Sequence, residues 1–275
     1  MKNRLLAAIL VTTSLSACKK DPVAPPPGPT PIQAPADDRR SVRLKDIVEH
    51  GLPSPLFHFT YNDSGYVTRI NYAQDFLIYD VAYESKRVSS LFNQFNSNTL
   101  RYRYANGFVQ EVAHTDGAGH KTWTQSFTYN HLNQLSTIRY WRFVPGMADS
   151  ILERRVDMLY HPDGNLASWQ DHHRIGTTLV PGSTTYYDHY DTGTCVDDFY
   201  IFHNFFEDAI FLPGVQLQRN NPRTVRIDAG ENEWQVDYFY SYVGKLPQSK
   251  TGLMKQTRGT GNGQTLTIQS TFTYY

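Results

Sequence analysis

One pattern recurs along the chain and constrains its fold more than any other feature. It reads aromatic-x-Tyr, a short polar turn often holding Asn or Gly, then Val or Leu-x-x-apolar. The clearest copies are Phe59-Thr60-Tyr61-Asn62-Asp63-Ser64-Gly65-Tyr66-Val67-Thr68-Arg69-Ile70 and Phe127-Thr128-Tyr129-Asn130-His131-Leu132-Asn133-Gln134-Leu135-Ser136-Thr137-Ile138. Looser copies begin at Tyr83, Tyr104 and Tyr160, and later ones at Tyr190 and Tyr240. The Tyr-to-Tyr steps are 22, 21, 25, 31, 30 and 50 residues, too uneven for a strict solenoid. Each copy predicts a β-hairpin. Its first half alternates with period two. The Asn-x-x-Gly segment supplies a positive φ or side-chain-to-backbone bonds for the turn. Its second half opens the return strand. Serial hairpins make an antiparallel meander, with on the order of 10 to 14 strands of about five or six residues. A sheet that large must curl, split in two or close into a barrel. The expectation is a single all-β domain over residues 45–275.

Composition agrees. Aromatics reach 14%, with 19 Tyr and 15 Phe, while charged residues are only 19% of the 275. A Tyr- and Thr-rich chain suits pleated, half-buried strands. Lys+Arg and Asp+Glu are 26 each, so the basic excess that phosphate contacts demand is missing and no nucleic-acid partner is expected. One segment breaks the strand pattern. Phe202, Phe205, Phe206, Ala209 and Ile210 form an apolar helical stripe before Pro213-Gly214. A short helix or compact loop near 199–214 is expected, covering a sheet face or plugging a barrel end.

The N-terminus carries an address. Lys2 and Arg4 precede an apolar run from Leu5 to Val11, then small residues to Ala17, the layout of a signal peptide over residues 1–17. The run is too short to span a bilayer. Leu15-Ser16-Ala17-Cys18 resembles the bacterial lipobox. That resemblance implies cleavage before Cys18 and acylation of its thiol and amine, which makes a membrane the first expected partner. Several acyl chains anchor stably where one does not. Lys19-Lys20-Asp21 resembles the export signals of some Gram-negative surface lipoproteins. From Pro22 to Ala36 the chain is proline-rich, so residues 18–44 are expected to be a disordered, extended tether. With Cys18 acylated, only Cys195 stays a free thiol, and it reads as a partly buried structural residue.

The Tyr-Asn-x-x-Gly-x-Val/Leu copies are similar to the YD repeats of large secreted shell proteins and toxins, which use them to build β structure. The whole layout is lipobox, Pro tether, Tyr-rich hairpins and a terminal Thr-Phe-Thr-Tyr strand. It resembles a family of bacterial outer-membrane lipoproteins with a porin-like β fold. The resemblance covers residues 45–275 and implies a fold and no activity. The turns after Tyr83 and Tyr190 depart from the Asn-x-x-Gly form. A membrane-spanning barrel is not expected. Counting back from Tyr275 by twos gives Thr273, Thr271, Gln269 and Thr267, while Phe272, Ile268 and Leu266 face the other way.

Two groups of residues are candidate sites. His161, Asp163, His172 and His189 have side chains suited to a first-row metal, although His172 and His173 must point to opposite faces of a strand. Trp123, Trp141, Trp169 and Trp234 could stack on sugar rings, or serve as core and cross-strand partners. No His-Glu-x-x-His, Cys-x-x-Cys, Gly-x-Ser-x-Gly or phosphate-loop motif occurs, so no cofactor and no catalytic centre are expected. The resulting expectation is a lipid-anchored envelope protein acting as a non-catalytic binding module for a glycan or another extracellular ligand, a protein included. An extracellular hydrolase would require the 161–198 His and Asp residues to converge in a cleft. A structural or secretion-associated shell would show an even surface. The oligomeric state stays open.

Overall fold

The computed structural model describes residues 30–147, 149–197 and 210–275. Its strands are β1 (Leu44–Glu49), β2 (Phe57–Tyr61), β3 (Val67–Tyr72), β4 (Leu77–Glu84), β5 (Arg87–Asn93), β6 (Thr99–Ala105), β7 (Phe108–Thr115) and β8 (Lys121–Tyr129). They continue as β9 (Leu135–Arg142), β10 (Ile151–Tyr160), β11 (Leu166–Ile175), β12 (Thr178–Tyr190), β13 (Pro222–Ala229), β14 (Asn232–Val243), β15 (Leu246–Arg258) and β16 (Thr265–Tyr274). Every strand pairs antiparallel with its sequence neighbours, and β16 pairs with β1 to close a barrel. The strand number exceeds the expected 10 to 14 because the connections are shorter than the uneven Tyr spacing implied. The 30-residue step is taken up by strands of up to 13 residues, and the 50-residue step by the long connection between β12 and β13.

Each Tyr of the repeat stands at or near the end of an even-numbered strand, so the seven copies are the seven hairpins β2–β3 to β14–β15. Their turns all lie at one end of the barrel. At Asn62, Asn130 and His161 the same turn recurs. The first residue's N–H donates to the carbonyl four residues on and its own carbonyl accepts from the residue three on. That fourth position has φ of 86° at Gly65, 60° at Asn133 and 89° at Gly164. Gly and Asn are the residues that tolerate it. The turn after Tyr83, which lacks this form, is a two-residue hairpin with Ser85 and Lys86 at φ 49° and 67°.

In five of the seven copies the Tyr itself ties the repeat to the preceding strand, and Tyr274 does the same at the end of β16. Tyr61 donates to the Leu44 carbonyl, Tyr129 to Val109, Tyr160 to Leu135, Tyr190 to Leu166, Tyr240 to Pro222 and Tyr274 to Pro247, at 2.6 to 3.3 Å. Each acceptor is one of the first two residues of the neighbouring odd-numbered strand. Tyr104 instead donates to the Asp38 carboxylate at 2.8 Å. Bonds of this kind contribute about 1 kcal/mol each, and here they fasten the strand ends where no hairpin joins them.

Registers sort the wall into two faces. One inward row reads Val81, Leu91, Leu100, His114 and Trp123, and another Phe127, Ile138 and Val156. One outward row reads Thr128, Thr137, Asp157, Gln170, Thr184, Asp228, Glu233 and Arg258. A second reads Arg103, Glu111, Ser126, Arg139, Arg155 and His172. The apolar face is therefore inside and the polar face outside, the reverse of a barrel whose wall meets lipid. Phe272, Ile268 and Leu266 of β16 line up inward as expected from the sequence.

The end carrying the repeat turns is closed by two segments. Residues 30–43 run along it as a strap. Ile32 exchanges bonds with the Leu132–Asn133 turn, Ala34 lies against Gly107, and Asp38 is held at Arg87. Arg39 lies over the Tyr66 ring and Arg43 against Gly65. The rest of this end is covered by the β12–β13 connection, whose Ile210, Phe211, Leu212 and Leu217 join the core. Most of the expected 199–214 helix, residues 199–209, lies outside the described residues. Residues 210–214 are not helical. At the opposite end only hairpin connections ring the mouth among the described residues, and inward-facing Leu266 there is 59% exposed.

Candidate functional site: an aromatic-lined cavity in the barrel

The interior is filled unevenly. The β2–β9 half is packed solid with Phe57, Phe59, Tyr79, Leu91, Leu100, Phe127 and Ile138, all essentially buried. The β10–β15 half keeps a cavity of about 340 Å³ beneath the closed end, within the usual size range of small-molecule sites. Trp169 of β11, Tyr187 of β12, and Tyr238 and Tyr240 of β14 supply its aromatic walls, Val225 and Ile227 its aliphatic ones. Arg154, Lys250, Asp197 and Gln218 supply polar groups.

Register explains the gathering. Trp169, Thr185, Ile227 and Trp234 form one inward row, and Tyr240, Lys250, Ser270 and Glu49 another. Gly252 lets a ring lie flat on the wall, since a Cβ there would stand 2.7 Å from Tyr238 Cε1 and 2.8 Å from Ile268 Cγ1. The charges are paired. Lys250 Nζ lies 2.7 Å from Asp197 Oδ2. Arg154 makes a forked contact with Asp171 at 2.6 to 3.0 Å and stacks on Tyr140. Burial pushes the Asp197 carboxyl up, but the charge and hydrogen bond of Lys250, with the Cys195 thiol, hold it below its ordinary value. Burial works against the Lys250 ammonium, and Asp197, Tyr238 and Glu49 more than offset it, so Lys250 stays charged. Burial raises Glu49, whose carboxylate accepts from Ser270 at 2.7 Å.

Burial likewise raises the Tyr187 and Tyr238 phenols, so both are donors at neutral pH. Among the described residues neither hydroxyl has a hydrogen-bond partner. The cavity thus offers flat apolar faces together with hydroxyl groups still able to bond. That combination suits a polyhydroxylated ring, whose C–H faces stack and whose edges take hydrogen bonds.

The tryptophans expected as a platform are divided. Trp169 lines the cavity, Trp234 stands on its row three strands away, and Trp123 faces inward against the packed core. Trp141 faces outward, its indole N–H 3.2 Å from Ser126 Oγ. The His and Asp candidates are scattered. His161 and Asp163 share the β10–β11 turn, where His161 Nε2 meets the Tyr187 carbonyl at 2.9 Å and Asp163 caps Asn165. His172 lies on the outer wall beside Arg155, and His189 ends β12 at φ 52°. Among the described residues no three His, Cys, Asp or Glu side chains form a group able to hold a metal ion. Cys195 is buried, its thiol near Asp197 and Gln218.

The cavity residues that sequence reasoning missed are Tyr187, Tyr238, Tyr240, Arg154, Gln218 and Lys250, while Asp197 belongs to the 161–198 His and Asp group. The alternation Tyr238-x-Tyr240-x-Tyr242 was a usable signal for one inward face. Lys250 had none, because Gln248, Ser249 and Thr251 around it are polar too.

The structure thus defines a closed sixteen-stranded antiparallel barrel with a polar wall, one covered end and an aromatic cavity. No family model matches the chain, and no curated protein matches it. Solved structures do. A porin-like protein from Bacteroides uniformis ATCC 8492 aligns at 15% identity and TM-score 0.54 over 90% of this chain and all of that one. A porin-like protein from Bacteroides vulgatus ATCC 8482 aligns at 14% identity and TM-score 0.54, over 86% of this chain and 99% of that one. At such identities the likeness is one of fold.

Proposed function

We propose that the protein is a non-catalytic binding module of the bacterial envelope, held at the outer membrane through acylated Cys18, which takes a glycan unit into the barrel cavity. The cavity carries this reading, with Trp169, Tyr187, Tyr238 and Tyr240 around it and the phenol hydroxyls of Tyr187 and Tyr238 without a hydrogen-bond partner among the described residues. The polar outer wall supports an anchor made by lipid and not by the strands. Isothermal titration against a panel of neutral and acidic oligosaccharides tests it. Trp169→Ala should weaken a bound glycan by about 2 kcal/mol or more, roughly 30-fold. Trp141→Ala, on the outer wall, should leave affinity unchanged. Binding that tracks Trp141, or no glycan binding across the panel, rejects the cavity as the site.

A further inference from the structure

The aromatic cavity is one end of a longer track. Two neighbouring inward rows lead away from it. One is Trp169, Thr185, Ile227, Trp234 and Gln256, the other Tyr187, Val225, Val236, Met254 and Leu266. Strands of a closed barrel tilt against its axis, so a row of register partners climbs along it. Trp169 stands three residues from the covered end of β11, whereas Trp234 stands nine from the covered end of β14 and two from the mouth. Six residues of difference, at about 3.3 Å each and a tilt of about 40°, put Trp234 about 15 Å nearer the mouth. One sugar ring cannot touch both indoles. The second row climbs the same way, from Tyr187 to Leu266 at the mouth end of β16.

The mouth end of the track repeats the chemistry of the cavity. The cavity lining reaches Ile227, the cross-strand partner of half-buried Trp234. Beside Trp234, Gln256 Nε2 donates to Asn232 Oδ1 at 3.0 Å. Asn232 Nδ2 has no hydrogen-bond partner among the described residues. Gly259 and Gly261 of the β15–β16 turn make room for these amides, which a Cβ at either position would strike. An indole face with amide groups at its edge again suits a sugar ring. Strap residues 30–43 and residues 210–217 cover the other end of the barrel, so a chain reaches Trp169 with its end and not with its middle. Both cations of the cavity are engaged, Lys250 by Asp197 and Arg154 by Asp171, which favours an uncharged ring.

We propose that the barrel binds the end of a neutral glycan chain. The terminal ring seats in the cavity against Trp169, a later ring stacks on Trp234, and the rest of the chain leaves through the mouth. The inference rests on the cavity reading above.

Isothermal titration with malto-, cello- and chito-oligosaccharides of increasing length tests it, with oligogalacturonides as the acidic comparison. In the series that binds, affinity should rise by about 10-fold from the monosaccharide to the tetrasaccharide and then level off. Trp234→Ala should abolish that gain and leave the monosaccharide unchanged, while Trp169→Ala should weaken every length. Trp234→Phe keeps a stacking face and should keep most of the gain, which separates a lost subsite from a lost fold. At equal mass, longer chains of the binding polymer should compete less, because they carry fewer ends. Equal affinity at every length, a Trp234→Ala loss equal at every length, competition indifferent to chain length at equal mass, or binding confined to oligogalacturonides overturns the inference. The cavity reading itself fails, and takes the inference with it, only when no sugar of any length binds or when Trp169→Ala leaves binding unchanged.

Discussion

At the residue scale the strap depends on Asp38. This carboxylate is 2% exposed and accepts from Arg87 Nη1, the Val88 N–H and the Tyr104 hydroxyl at 2.8 to 2.9 Å. All three partners are donors, so Asp38→Ala takes the carboxylate from the half-buried Arg87 and leaves the Tyr104 hydroxyl and Val88 N–H unpaired, which should cost about 2–3 kcal/mol in chemical denaturation. Asp38→Asn should not rescue it, because the amide turns N–H groups toward donors. A wild-type midpoint in either variant would contradict this role. The tyrosines give a second prediction, on pH. Burial pushes the Tyr61 phenol up to about 12 and raises Tyr129 and Tyr240 as well. A folded value above the unfolded one, about 10, means their contribution is complete below pH about 10. It is lost as pH rises through the folded values. The denaturation midpoint should therefore fall from about pH 10 upward, with phenolate absorbance appearing alongside unfolding. Phenolate absorbance that rises fully while the fold persists would argue against buried hydroxyls. These two cases differ in legibility. The repeated Tyr is plain in the sequence. Asp38 is not, since it sits in a charged run and its partners lie 49 to 66 residues away.

At the element scale the hairpin is the unit, and its turn chemistry was legible wherever a side chain or a glycine announces it. Asn130 accepts the Leu132 N–H as an Asx turn requires, Asn62 and Asn130 both accept the backbone N–H four residues on, and Gly65 takes φ 86°. The Ser85–Lys86 turn was illegible because neither residue advertises positive φ. It is the pairing of β4 with β5 that fixes it there. Strand number was under-read for a related reason: nothing local in Thr178–Tyr190 reveals that one strand runs through Pro181-Gly182, which sit at a register shift. The turn argument gives its own test. Gly65→Ala forces a Cβ into the left-handed region and up against Arg43, 3.0 Å away. Arg43 is long enough to move, so the backbone cost should dominate, about 1–2 kcal/mol. Gly119→Ala, at φ 84° with nothing within 4 Å, should cost nearly the same in urea denaturation. A large difference between the two would show that packing, not φ, governs these turns.

At the scale of the whole molecule, sidedness decides the relation to a membrane. Alternation in a single strand already indicated it, because Thr267, Gln269, Thr271 and Thr273 share one face of β16. The closed register extends that face around the barrel, through rows such as Asp188, Thr224, Asp237, Leu253 and Thr267. Exposed apolar residues such as Leu159, Phe239 and Leu253 interrupt these rows singly and form no continuous belt on them. Placing Arg or Asp from such a wall at a bilayer midplane costs about 2–4 kcal/mol for each Arg. Dozens of hydrogen-bonded strand residues can close a barrel equally well in water, where this wall is solvated and the apolar side chains are inside. The Cys18→Ser chain should therefore partition to the aqueous phase of a detergent phase separation, while the wild-type chain made in a Gram-negative host partitions to the detergent phase. If the Ser variant follows the detergent, the strands and not the lipid hold the protein in the membrane, and the inward assignment of the apolar face falls with it.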